Sequence, residues 1–280
     1  MEPKFINQKI SSLSKKELLE RSTQFIFSTG LNDGTSSLCQ WNMKYGLAQM
    51  HIIQERYGFD PNALFISSPD ETISRNQYRW NSGFGYGGKL VWGSGEDKLI
   101  FLNTKPNHCG ILVLGLWDMM NPYDLIKKID EIKSKGLYLD DIRLDWDFGI
   151  SNHFISCYKT NNLTEIEYPP YICLIHGSAP ELRGDKYGIG VYIDKSKNLK
   201  NMAIKEDTQL GTQYILLDSD ADKYIEINKK ALKFSCKKRE IIAQQLYEDN
   251  YDIICNQPHQ FLKDYNSIYL GSNCTDVKNK

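Results

Sequence analysis

A change of texture at Trp80 limits what this chain can fold into more than any other feature. Before it, apolar residues recur at helical spacing. Ser14 is placed to cap a helix over residues 14–27, with Leu18, Leu19, Phe25 and Ile26 on its apolar face. A second helix is expected over residues 36–57, stopped by Gly58 and Pro61. From Trp80 to Gly115 the chain is rich in glycine, and its apolar residues collect in short runs: Lys89-Leu90-Val91-Trp92, Leu99-Ile100-Phe101-Leu102 and Ile111-Leu112-Val113-Leu114. Such runs between turn residues predict strands. A helix over 122–135 follows, with Pro122 in its first turn and Gly136 at its stop. Further strands are expected at 150–158, 171–175, 189–193, 214–217, 252–255 and 267–270. The strongest helix spans 221–247, where Tyr224, Ala231, Phe234, Ile242 and Leu246 make one face and Lys229, Lys230, Lys233, Lys237, Lys238 and Arg239 another. This irregular mixture predicts an α+β fold on a mixed, mostly antiparallel sheet flanked by helices. Residues 1–79 read as a helical N-terminal extension and 80–280 as the core, together one compact domain.

The other bulk properties narrow the class. With 280 residues and 41% hydrophobic composition, the chain can bury a large core. A formal net charge of −1 gives no global attraction to nucleic acid, so any such contact needs a local basic surface. No window reaches the roughly 18 apolar residues of a membrane span, and Met1-Glu2-Pro3-Lys4-Phe5 lacks the apolar run of a secretory signal. The seven cysteines are scattered, odd in number and never spaced as CxxC, which speaks against a disulfide scaffold and for a reducing cytoplasm.

Chemistry is concentrated at few positions. Of five histidines, His51 falls inside the second helix. The other four sit in punctuated contexts: Asn107-His108-Cys109-Gly110, Ser151-Asn152-His153-Phe154, Ile175-His176-Gly177-Ser178 and Pro258-His259-Gln260. His176 ends an apolar run, where a strand hands over to a loop. Cys109 precedes one, and Gly110 after it leaves room for a ligand near the backbone. A thiolate with imidazoles suits zinc, manganese, cobalt or ferrous iron better than magnesium or calcium. A lesser alternative is Cys109 as a nucleophile activated by His108, His153 or His176, although His108, its neighbour, points to the opposite face if the segment is a strand. Asp145 and Asp147 would pair their carboxylates on one strand face, suited to acid/base chemistry or metal binding, but a solvated loop is the preferred reading. The run Gly83–Gly88 lacks the Lys-Ser/Thr of a phosphate-binding loop.

The order of these motifs resembles the RtcB-type RNA-splicing ligases. Gly83-Phe84-Gly85-Tyr86-Gly87-Gly88 is similar to that family's Gly-Tyr-Gly segment, Cys109-Gly110 to its Asp-Ile-Gly-Cys-Gly, and Asn152-His153-Phe154-Ile155 to its Gly-Asn-His-Phe. His176-Gly177-Ser178 is similar to its His-Ser-Gly-Ser, and His259 to its last histidine. Lys238-Arg239 falls where the family's helix carries Asn-Arg. The resemblance covers roughly residues 80–275. It implies a site of two metal ions (manganese or zinc), with Cys109 bridging, His153 on one ion, and His176 and His259 on the other. Cys109 and His176 would be catalytic. Asn152, Ser178, Arg183, Lys238 and Arg239 would meet a substrate with an RNA 2′,3′-cyclic phosphate or 3′-phosphate end.

This sequence departs from the family pattern in places. The family's aspartate three residues before the cysteine is Pro106 here, and His108 either replaces it as a ligand or points away. No His-Gly-Ala-Gly-Arg segment, the family's guanylylation motif, occurs in these residues, so GTP-dependent ligation is not expected. The alternatives are an inactive relative that binds RNA ends or a protein partner, and an enzyme using Cys109 as its nucleophile.

Overall fold

Ser14 caps the first helix as its context demands. Its side chain accepts from the Glu17 amide while the Glu17 carboxylate takes the Ser14 amide, a reciprocal capping box. In the computed structural model, which describes residues 8–161, 163 and 167–272, this helix, α1 (Lys15–Thr23), ends four residues earlier than its periodicity predicts. Ile26 and Phe27 leave it to form β1 (Ile26–Phe27), paired in parallel with Phe65 and Ile66. The order continues α2 (Gly34–Arg56), β2 (Leu64–Thr72), α3 (Gln77–Asn81), β3 (Tyr86–Val91), β4 (Leu99–Phe101), β5 (Gly110–Leu116), α4 (Pro122–Lys135) and a ribbon of β6 (Tyr138–Leu139) with β7 (Ile142–Arg143). It closes with β8 (Phe154–Lys159), β9 (Tyr171–Gly177), α5 (Lys197–Met202), β10 (Ile204–Thr208), β11 (Gly211–Leu217), α6 (Asp218–Tyr247), β12 (Asp252–Pro258), β13 (Gln260–Asp264) and β14 (Ser267–Leu270).

The fold is α+β with mixed, mostly antiparallel sheets, as the sequence predicts. The strands divide into a five-stranded sheet, β1-β2-β3-β14-β13, a four-stranded sheet, β12-β5-β9-β8, and a three-stranded sheet, β10-β11-β4. Two cores result. One gathers Met43, Leu47, Phe65, Phe84, Trp92, Phe101 and Tyr224. The other packs Leu112, Leu114 and Ile175 of the four-stranded sheet under Ile242, Ala243 and Leu246. Helix α6 belongs to both. At 30 residues it is about 45 Å long, enough to run from one core to the other.

Described residues before Trp80 share a sheet and a core with those after it. β2 is hydrogen-bonded to β3 along the register Leu64↔Val91 to Ser67↔Gly88, and Met43, Leu47 and Phe65 lie in the same core as Trp92 and Ile268. The amphipathic pattern of α2 needs an apolar partner, and the sheet supplies it. The strand expected at 189–193 is also absent. Val191, Tyr192 and Ile193 are buried, yet the Val191 and Tyr192 amides bond to the carbonyls of Leu182 and Arg183 in an irregular turn. Among the described residues no helix is long and apolar enough to cross a membrane.

Candidate metal centre

The chain enters β5 through a kink. His108 adopts φ 58°, which turns consecutive side chains in unrelated directions. Its ring points to α6, where Nε2 meets Asn228 Oδ1 at 3.0 Å. Burial holds it well below the usual histidine range, at about 4, although the Asn228 bond opposes this. His108 is therefore not a member of the ligand group, and the expectation that it replaces the family's aspartate is corrected. Cys109 points the other way. Its Sγ lies 3.2 Å from His153 Nε2, and one donor atom from each of Cys109, His153 and His176 falls within 4.8 Å of the others. All three residues are buried.

Strand pairing brings these groups together. Phe154 at the start of β8 pairs with His176 near the end of β9, so His153 and His176 stand at the same end of the sheet. Gly110 at the start of β5 pairs with Gly177, which sets Cys109 beside them. His259 is the single residue between β12 and β13, where the chain passes from the four-stranded to the five-stranded sheet. Its amide and that of Gln260 both bond to the Cys109 carbonyl, at 3.0 and 3.3 Å. This places His259 Nε2 3.2 Å from His176 Nε2.

The His153 and His176 rings are each fixed by their second nitrogen. His153 Nδ1 donates to Asp147 Oδ2 at 2.7 Å, and His176 Nδ1 donates to the Asn152 carbonyl at 2.7 Å. Both Nε2 atoms thus turn their lone pairs inward. A carboxylate or carbonyl behind the ring is the usual arrangement for metal-bound histidine, because it fixes the tautomer and raises basicity. The close approach of two Nε2 atoms, one already deprived of its proton, is satisfied by a proton on His259 or by a cation between the rings. The donor set of one thiol and two or three imidazoles fits a divalent transition ion. This buried Cys109–His153–His176 group can hold a metal ion.

The same groups also form a proton-sharing network in which each shifts its neighbours. Burial alone raises the Cys109 thiol, but hydrogen bonds from His153 and His176 outweigh it and bring it to about 6. Burial disfavours the His153 cation, but Asp147 and the Cys109 thiolate raise it to about 9. Burial opposes ionisation of Asp147, which His153 and Lys238 nevertheless hold far below the usual carboxylate range. His259, buried beside His176, is lowered to about 3.

Lys238 and Arg239 do not face solvent, which corrects their expected role in meeting RNA. Lys238 Nζ reaches Asp147 at 2.8 Å, Glu181 at 2.9 Å and the Asp145 carbonyl at 2.7 Å. Arg239 bonds Asn256 Oδ1 and the Gly177 carbonyl. It fills the space Gly110 leaves, since a Cβ there would lie 2.7 Å from its guanidinium. Gly110 thus serves packing rather than ligand access. The solvent-facing lysines of α6 are Lys223, Lys229, Lys230, Lys233 and Lys237, of which Lys223, Lys229 and Lys237 are paired with Asp220, Glu226 and Glu240. Ser178 is buried and donates to Asp147 Oδ2 at 3.2 Å, so it braces the site from behind.

In front of the cluster lies a cavity of about 1020 Å³ that Cys109, His153 and Asn152 line together with Arg75, Arg183 and Lys195. Arg183 donates to Asn107 Oδ1 and Ser178 Oγ. Arg79, also on this wall, donates to the Thr104 and Lys105 carbonyls and Ser74 Oγ. Among the described residues neither guanidinium meets a carboxylate, whereas Lys105 is paired with Asp194 at 2.9 Å. Two site residues escaped the sequence reading. Asp147 was assigned to a solvated loop. Asn107, whose Nδ2 donates to Cys109 Sγ at 2.7 Å, carried no signal beyond its nearness to the cysteine.

The chain matches no protein-family model, no curated protein and no solved structure.

Proposed function

We propose that this chain is a metal-dependent enzyme acting on phosphate-ester ends of RNA, either a 2′,3′-cyclic phosphate or a 3′-phosphate. One observation carries the reading: a buried cluster of one thiol and two imidazoles, of which Cys109 and His153 line a cavity whose Arg79 and Arg183 guanidiniums bond only neutral partners. Such planar guanidiniums favour an oxyanion that accepts two parallel hydrogen bonds, such as phosphate. The RNA end as substrate rests on the motif resemblance to RtcB-type ligases. Manganese or zinc, as one ion or two, suits the donors. When bound, the ion supplies Lewis acidity at a phosphoryl oxygen. Cys109, His153 and His176 hold it, Asp147 and the Asn152 carbonyl keep the rings in register, and Arg183 with Arg75 and Lys195 draws the phosphate in.

A second reading is favoured by a different geometry. Cys109 Sγ, His153 and Asp147 form a relay with steps of 3.2 and 2.7 Å, the arrangement of a cysteine nucleophile with its base and orienting acid. In that reading His153 takes the thiol proton, Asp147 steadies the imidazolium, and the thiolate attacks the substrate.

A short RNA ending in a 2′,3′-cyclic phosphate, incubated with manganese and without GTP, separates these. Ring opening that is lost in His176→Ala and on chelation supports the metal enzyme, because His176 lies outside the relay. Activity that survives chelation but is abolished by alkylating Cys109 favours the nucleophile. Salt-sensitive binding without turnover identifies an inactive RNA-end binder, and neither binding nor turnover removes RNA from the account.

A further inference from the structure

Two more thiols lie face to face, away from the Cys109 cluster. Cys157 on β8 and Cys173 on β9 are directly opposed register partners. Opposed residues of an antiparallel pair project from the same face. Their Cα atoms are held about 4.5 or 5.5 Å apart, depending on the kind of pair. Both separations fall within the about 4.4–6.8 Å that a disulfide spans. β8 is an edge strand, Cys157 is half-buried there, and Cys173 is fully buried one strand inward. Both are free thiols, and Cys157 Sγ lies 3.2 Å from the Tyr247 hydroxyl at the end of α6.

We propose that Cys157 and Cys173 form a cross-strand disulfide site, with Cys157 the thiol that meets a peroxide oxidant and Cys173 the thiol that resolves it. The Cys157 thiolate attacks one oxygen of hydrogen peroxide. The O–O bond breaks, the sulfur is oxidised to a sulfenic acid, and the departing hydroxide takes up the proton that the Cys157 thiol lost on ionising, leaving as water. Cys173 sulfur then attacks Cys157 sulfur. The S–S bond forms, the S–O bond breaks, and the leaving hydroxide takes the Cys173 proton as a second water. Two thiols and one peroxide give one disulfide and two waters. The division of labour follows the surroundings: Cys157 is half-buried on the edge strand beside the Tyr247 hydroxyl, whereas Cys173 is fully buried one strand inward. A thiolate at the more accessible position is the reactive one.

The bond would sit three positions along the same ladder from the Phe154–His176 pair, so it would clamp together the two strands that carry His153 and His176. The inference does not depend on what the Cys109 cluster binds. The test treats the full-length protein with hydrogen peroxide, alkylates it and maps unreduced peptides by mass spectrometry. The expected product joins the 154–159 and 171–177 segments, is lighter than the sum of the two peptides by two hydrogens, and is reversed by reductant. The oxidised protein should also melt at a higher temperature, because the closed loop restricts the unfolded chain. In Cys173→Ser, Cys157 should accumulate as a sulfenic acid that dimedone traps. The proposal is overturned if both thiols of the unsubstituted protein stay alkylatable after Cys109 has been oxidised, or if Cys157 is found joined to another cysteine.

Discussion

His51 and His153 show how far surroundings alone move one side chain. His51 is fully buried. Its Nδ1 accepts from Arg21 at 2.7 Å and its Nε2 donates to the Ala63 carbonyl at 2.7 Å, so it has no place for a second proton. Burial first, and then the Arg21 charge, lower it to about 3, whereas His153 stands at about 9. A histidine lowered on folding contributes stability above its unfolded value of about 6.5 and loses it as pH falls toward the folded value. The unfolded chain binds the extra proton, which at pH 5 costs the native state about 2 kcal/mol. Urea unfolding at pH 7 and pH 5 should therefore show a smaller acid loss in His51→Gln than in the unsubstituted protein, by about that amount. Equal losses would contradict this origin. The site was legible where a residue type carries its own signal. Cys109, His153, His176 and His259 stand at strand ends, and the topology brings them together. Asp147 and Asn107 were not legible, because each works through a tertiary contact that no local spacing records.

At the scale of elements, α6 holds the site from behind while its lysine-rich appearance suggests a surface role. Periodicity places the helix correctly, since its apolar face is long and regular. It does not reveal that Lys238 and Arg239, about 100° apart around the axis, are both covered by neighbouring strands and loops. Charged residues are rarely buried unless paired, and here the pairing partners, Asp147, Glu181 and Asn256, lie far along the chain. β2 was missed because its second half, Ser67 to Thr72, is polar and contains Pro69, and the register breaks there. Removing the Lys238 charge leaves Asp147 and Glu181 buried without their cation. Lys238→Met should lower stability by about 3–5 kcal/mol, as loss of one partner in a buried pair does. Restoring neutrality with Glu181→Gln should recover part of this. Urea midpoints decide it: a loss below about 1 kcal/mol, the worth of an exposed pair, would contradict the buried network.

In the whole molecule the site lies where the two cores meet. β12 passes into β13 at His259, and the Cys109 carbonyl binds the amides on both sides of that crossing. The cavity takes one wall from residues 74–81, which belong to the first core, and the other from residues 147–153 beside the second. Thr35 and residues 72–79 therefore line the same cavity as residues 147–153, and no single segment of sequence contains the site. The central claim is that Cys109, His153 and His176 hold a divalent transition ion. Elemental analysis of the purified full-length protein after reconstitution with manganese, zinc and cobalt in turn tests it most directly. The account predicts that at least one ion is retained through desalting by the unsubstituted protein, and that Cys109→Ala, lacking the softest donor, loses most of it. A protein that emerges free of all three metals, or a Cys109→Ala variant that retains them in full, would contradict it.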